Sequence, residues 1–134
     1  LDPGYRRLFV DYLRDFAKAE GKTVFLTSHI IQDMERLIDD CIIMDYGRIL
    51  VQQPVAELLA TFRRYTFPAA DGAALPQGDG IYHPAVWKGR GELHSFASPD
   101  EIRDRLTRAG IACGELRWET LNLEDAFIGL TGKY

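Results

Sequence analysis

Apolar positions recur at helical spacing from the start of the chain. Tyr5, Phe9, Tyr12, Leu13 and Phe16 share one side of a predicted helix running from about Pro3 to Lys18, the recurrence of an amphipathic helix. Asp2 is its expected N-cap, with Pro3 in the first helical position, where an N–H has no intrahelical acceptor anyway. Gly21 ends it. The period then changes. Thr23-Val24-Phe25-Leu26-Thr27-Ser28 is β-branched and aromatic with little alternation, the pattern of a strand buried on both faces. A second helix is predicted to follow, with Ile30, Ile31, Met34, Leu37 and Ile38 on its apolar side. Cys41-Ile42-Ile43-Met44 reads as another buried strand. Asp45-Tyr46-Gly47 is a turn, and Arg48-Ile49-Leu50-Val51 returns as the hairpin partner. Pro54 opens a third helix carrying Leu58, Leu59 and Phe62.

Residues 68–80 form a linker, with Pro68, Gly72, Pro76, Gly78 and Gly80 among Ala and Asp. Beyond it, Ile81–Trp87 and Glu92–Ala97 are predicted strands joined through Lys88-Gly89-Arg90-Gly91. Ser98-Pro99-Asp100-Glu101 is a capping box, opening a helix whose Ile102, Leu106 and Ala109 face inward and which stops at Gly110. Glu115–Glu119 is a further strand. Asn122 caps a last helix that buries Leu123, Phe127 and Leu130 and stops at Gly132. The expected fold class is α/β: an incomplete nucleotide-binding-type sheet with flanking helices over residues 1–67, a linker at 68–80, and a small α+β unit, ferredoxin-like in outline, at 81–134. Too few strands precede the linker to close a sheet. A chain that opens on a helix cap at Leu1 reads as a piece of something longer.

Composition narrows the function classes. The chain has 134 residues and a net charge of -4. Its Lys and Arg residues are scattered, without the basic stripe of a nucleic-acid binder. No apolar run approaches the roughly 20 residues that span a bilayer, and no signal peptide is visible, so a soluble, intracellular chain is expected. Cys41 and Cys113 lie far apart in apolar stretches and read as buried free thiols. No metal site is expected, because no Cys or His pair has ligand spacing.

Gly21-Lys22-Thr23 imitates the end of a phosphate loop, but G-x-x-x-x-G-K-[ST] requires glycine at position 16, which is Phe16. The helix also precedes the predicted strand, so no helix N-terminus faces a phosphate. Gly89 and Gly91 fail as a dinucleotide fingerprint, because position 94 is His94. His29 differs. It lies just past the carboxyl end of a predicted buried strand, where open α/β sheets place ligands. There an imidazole can hydrogen-bond a phosphate oxygen or hold an attacking water; equally, it can cap the next helix. His83 and His94 read as surface residues of their strands.

Leu1-Asp2-Pro3, followed further on by Gly21-Lys22-Thr23-Val24-Phe25-Leu26-Thr27-Ser28-His29, resembles the end of an ATP-binding cassette (ABC) ATPase domain, with a D-loop at Leu1-Asp2-Pro3 and a switch histidine at His29. Met34-Glu35, Asp40, Gly47-Arg48-Ile49 and Pro54-Val55-Ala56-Glu57-Leu58 continue the likeness in the same order, through about residue 62. Leu123-Glu124-Asp125-Ala126-Phe127-Ile128 with Leu130-Thr131-Gly132 is similar to the close of ABC-2-type exporter ATPases, whose C-terminal extension the second unit resembles.

The resemblance implies that His29 contacts the ATP γ-phosphate, and that Asp2 and Ser28 lie at the nucleotide or at the interface of a head-to-tail ATPase dimer. It implies ATP and Mg²⁺ in the whole protein, none bound to this chain alone, a transmembrane permease subunit, a second ATPase subunit, and a location at the inner face of the cell membrane. The family's phosphate loop, Walker B and signature motifs have no counterpart among these residues, so the chain alone is expected to be inactive. Two other readings remain: residues 80–134 as a regulatory or dimerisation module without chemistry, and a free-standing ligand-binding α/β protein with His29 in its site. The apolar Val24–Leu26 strand, short of neighbours, predicts self-association.

Overall fold

In the computed structural model of the chain, residues 2–28, 31, 32 and 34–132 are described. The first helix, α1, spans Pro3–Glu20. Asp2 caps it as expected: Oδ1 accepts the backbone N–H groups of Gly4 at 2.8 Å and Tyr5 at 3.1 Å. Gly21, at φ 60°, takes the left-handed conformation that ends it. The side that α1 buries is not its aromatic one. Val10 is buried, flanked by half-buried Arg6, Leu13, Arg14 and Ala17, a stripe at helical spacing. Tyr5, Leu8, Phe9, Tyr12 and Phe16 are between 43% and 66% exposed.

Residues 22–28 form no strand, contrary to expectation, and Phe25 is 84% exposed. A strand is made by its neighbours, and the strands among the described residues pair only with one another. Of the helix expected next, the described residues show a single 3₁₀ turn, Met34–Arg36; Ile30 and Asp33 lie outside the described residues. So short a segment depends on packing to be helical, and only Ile31, Met34 and Ile38 find apolar neighbours here.

Strands β1 (Asp40–Asp45) and β2 (Arg48–Pro54) make the expected hairpin. Its two-residue loop has Tyr46 at φ 49° and Gly47 at φ 72°, the paired positive angles whose twist suits a hairpin. The strand is buried on one face rather than two: Cys41 and Ile43 are covered, while Ile42 and Met44 are exposed. Helix α2 (Val55–Thr61) follows. Then comes an element the sequence pattern did not announce, β3 (Arg63–Pro68).

β3 joins β4 (Tyr82–Trp87), β5 (Arg90–Ser95) and β6 (Arg117–Thr120) in an antiparallel sheet of order β4-β5-β3-β6. Counted from β3, this is the strand order of a ferredoxin-like sheet, with residues 69–81 in place of its first crossover helix. Helix α3 (Pro99–Arg108) supplies the second crossover, opened by Ser98 Oγ accepting the Glu101 N–H. Tyr65, Phe67 and Leu93 of the sheet meet Ile102 and Leu106 of α3 in one core. Ala109, expected inside, is exposed. Gly91 sits beneath the Phe67 ring, leaving no room for a side chain.

A second core joins distant parts of the chain. The last helix, α4 (Leu123–Thr131), contributes Leu123, Ala126 and Leu130 to a cluster with Leu121, Cys41, Ile43, Val51, Val55, Leu58 and Phe62. The hairpin and α2 thus close against residues from the other end of the sequence. Cys41 is a buried thiol, its pKa raised by burial, while Cys113 is only half-buried.

His94 is not on the surface. Its pairing with Arg64 turns it to the α4 side of the sheet, where it is 8% exposed. Its ring lies 5.9 Å from that of Phe62 and against Gly129, whose missing side chain makes the space. Nδ1 has no hydrogen-bond partner among the described residues. Burial first, then the positive charge of Arg64 and the neighbouring His83, lower its pKa to about 4, against an opposing pull from Asp125. The neutral ring is therefore favoured in the fold, while the unfolded chain takes up the proton near pH 6.5. Stability should fall as pH drops from about 6.5 through about 4, by up to about 3 kcal/mol. Urea denaturation across that range measures it. His94→Leu should lose this part of the slope, leaving only what the carboxylates contribute; equal slopes in both proteins would remove His94 as the cause. His83 is exposed, as expected, but its Nε2 lies 3.0 Å from the carbonyl oxygen of Leu130 at the C-terminal end of α4.

Candidate functional site

Of the residues singled out by sequence, Asp2 and Ser28 are described, and both are exposed. Asp2 is exposed at the N-terminus of α1, and its Oδ1 is engaged by the helix. Capping uses one carboxylate oxygen, so structural and functional roles for Asp2 are compatible. Ser28 is exposed at the end of the extended segment 22–28. His29 lies outside the described residues.

The elements that carry Asp2 and Ser28 also carry uncovered apolar residues. The Tyr5, Leu8, Phe9, Tyr12 and Phe16 side of α1 and the Val24-Phe25-Leu26 run all face solvent, with Tyr12 and Phe16 stacked at 6.5 Å between ring centres. Scattered exposed apolar residues are ordinary, but a contiguous aromatic stripe marks a surface built to be covered.

A hollow lies elsewhere. It holds about 340 Å³ on the open face of the four-stranded sheet, lined by Arg64, Thr66, Ala85, Trp87, Arg90, Glu92 and Glu119. Its charges satisfy one another: Arg64 Nη2 donates to Glu119 Oε1 at 2.6 Å, and its Nε lies 3.6 Å from Glu92. Lys88 stands 4.7 Å over the Trp87 ring. No nucleophile paired with a base lines it. Among the described residues no group of three His, Cys, Asp or Glu side chains is arranged to hold a metal ion, and no helix is long and apolar enough to cross a membrane.

One polar contact near this region was invisible in the sequence. Glu35, in the 3₁₀ turn that follows Ser28, accepts the backbone N–H of Leu123 at 2.8 Å. Sequence patterns display local caps, and this one joins residues 88 positions apart.

No family model matches the chain. It is 41% identical over 141 residues to the Nod factor export ATP-binding protein I of Ralstonia nicotianae, covering 99% of this chain and 44% of that protein. It is 28% identical over 127 residues to the bacitracin transport ATP-binding protein of Enterococcus faecalis, covering 90% of this chain and 41% of that protein. A shorter match, 35% identical over 60 residues, is to the thiamine import ATP-binding protein of a Jannaschia species, covering 45% of this chain and 26% of that protein. The chain spans less than half the length of each of these relatives.

Proposed function

We propose that this chain, homologous from end to end to ATP-binding subunits of ABC transporters, is the C-terminal portion of such a subunit: residues 1–62 belong to its nucleotide-binding domain and residues 63–134 form a C-terminal extension, which takes in β3 because that strand pairs with β5 and β6. The whole protein couples ATP binding and hydrolysis to transport. Export is the favoured direction, because the relatives matched along 99% of the chain are named for export, whereas the thiamine import protein matches only 45% of it.

The observation that carries the reading is the uncovered apolar surface of α1 and residues 22–28. Among the described residues segment 22–28 has strand composition without a strand neighbour, and α1 turns its aromatic side outward. Both are explained if the remaining strands of an ATPase sheet lie against them in the whole protein. There Asp2 faces a second ATPase subunit, Ser28 borders the nucleotide, and His29 contacts the γ-phosphate. Mg²⁺ would be held by the nucleotide and by residues outside this chain, since phosphoryl transfer relies on a phosphate loop and metal ligands. A transmembrane permease partner completes the assembly and holds it at the inner face of the cell membrane. The same uncovered surface is the source of the self-association proposed for the chain alone.

The test compares the 134-residue chain with the product of the full reading frame that contains it. The chain alone should not bind MgATP at micromolar concentration, and the full product should bind and hydrolyse it. Micromolar binding by the chain alone, or an inert full product, would overturn the proposal.

A further inference from the structure

We propose that β6 is the edge on which a second copy of this chain pairs, antiparallel about a two-fold axis at Trp118, so that the two four-stranded sheets become one.

The sheet of order β4-β5-β3-β6 has two outer strands, and an outer strand presents a row of backbone N–H and C=O groups to any further strand. One edge is guarded. In β4, Pro84 withholds a donor, the register with β5 shifts between Tyr82 and Ala85, and His83 lies 3.0 Å from the Leu130 carbonyl oxygen of α4. The other edge carries none of these devices. β6 keeps its register with β3 over all four residues, contains no proline, and is exposed at every position.

The sequence of β6 is complementary to itself when reversed. Arg117 and Glu119 lie on one face of the strand and Trp118 on the other. With Trp118 opposite the Trp118 of the copy, Arg117 stands opposite Glu119 of the copy, twice by symmetry. Opposite charges and aromatic rings in such positions stabilise a strand pair.

Both faces of the sheet already lead up to this edge. On the open face Glu92, Arg64 and Glu119 alternate in charge. Arg64 Nε lies 3.6 Å from Glu92 and donates at 2.9 Å to Glu119 Oε1, which also accepts Nη2 at 2.6 Å. Both bonds take the same oxygen, and Oε2 has no partner among the described residues. Arg117 likewise has no ion pair among the described residues. An Arg117 from a copy is the next member of the alternation. On the α3 side the rings of Tyr65 and Trp118 are 6.5 Å apart, and Trp118 is still 45% exposed. The Trp118 and Tyr65 of a copy continue that row. Four residues a side bury little area, so free association is weak, and an assembly that brings two copies together strengthens it.

Oxidising the full-length protein in solution without nucleotide tests the pairing, because a disulfide traps even a weak contact. Opposite Cα atoms in an antiparallel pair are about 4.5–5.5 Å apart, within disulfide reach, and diagonal ones lie beyond it. Trp118→Cys should therefore link to itself, with the joined peptide identified by mass spectrometry. Arg117→Cys and Glu119→Cys, which keep the Trp118 ring, should each fail alone and link to each other when mixed. Charge gives an independent readout. Added to Trp118→Cys, either Arg117→Glu or Glu119→Arg should cut the yield about tenfold or more, since two attractive pairs turn repulsive at once. Mixing these two charge variants should restore it, because each then faces the opposite sign, and a misfolded variant would not be rescued that way. Absence of the 118–118 link, an equal yield from Arg117→Cys alone, or failure of the mixture to restore the yield would each overturn the proposal. In intact cells the same link should form; a link from position 118 to a different protein in its place would also overturn it. None of these readouts involves ATP, so the outcome is separate from that of the ATPase reading.

Discussion

Replacing His29 by alanine in the full-length protein should lower ATP turnover by about 10²–10⁴-fold, the range associated with losing one group that handles a proton or orients the attacking water. Binding of MgATP should survive. In the proposed arrangement the nucleotide is gripped by a phosphate loop and a metal ion, and both act on the ground state as well as the transition state. A single imidazole at the γ-phosphate adds little to that grip. Its effect falls on the transition state, where charge spreads over the transferred group and the attacking oxygen must lie in line. The expected signature is therefore a fall in kcat with KM nearly constant. Steady-state hydrolysis with a parallel fluorescent-nucleotide titration measures both. Unchanged turnover would remove His29 from the chemistry, and loss of binding together with turnover would make it a structural residue.

The second large effect is on stability. Phe62→Ala should destabilise the chain by about 3–5 kcal/mol, as full truncation of a buried phenylalanine does. Phe62 is completely buried at the end of α2. Its ring centre is 4.6 Å from that of Phe96, 5.6 Å from that of Tyr82 and 5.9 Å from that of His94. It therefore stands where α2, α4 and the sheet converge. Against a total stability of about 5–15 kcal/mol for a typical domain, the loss is large. The midpoint of urea unfolding should drop while its slope stays the same. Phe62→Leu should lose far less. A loss under about 1 kcal/mol for Phe62→Ala would mean that the cluster collapses around the gap.

Local chemistry was the legible part of this fold. Asp2, Ser98 and Asn122 cap the helices they were expected to cap, because a cap is written within a few neighbouring residues. The Tyr46-Gly47 turn is likewise local. Non-local structure was not legible. β3 escaped notice because an arginine pair opens it and Pro68 closes it, and only Tyr65 and Phe67 show its alternation. Residues 23–28 have a strand's composition, but composition does not supply hydrogen-bonding neighbours. The aromatic side of α1 was plain in the sequence, whereas which side the chain covers was not. His94 gave no sign of burial because its slot depends on Gly129, far along the chain. At the candidate site, Asp2 and Ser28 are proposed from motif order alone, and the Glu35 contact needed the fold to bring Leu123 beside it.

The shared core of hairpin and α4 also bears on the order in which the molecule can be made. Cys41, Ile43, Val51 and Leu58 leave the ribosome long before Leu121, Leu123, Ala126 and Leu130, which complete their cluster. During synthesis the hairpin must wait with its apolar side unsealed, and its final structure forms only after residues 121–131 have emerged. A premature stop anywhere in that last stretch would therefore damage a region some seventy residues upstream, and the nascent chain needs protection for as long as that delay lasts.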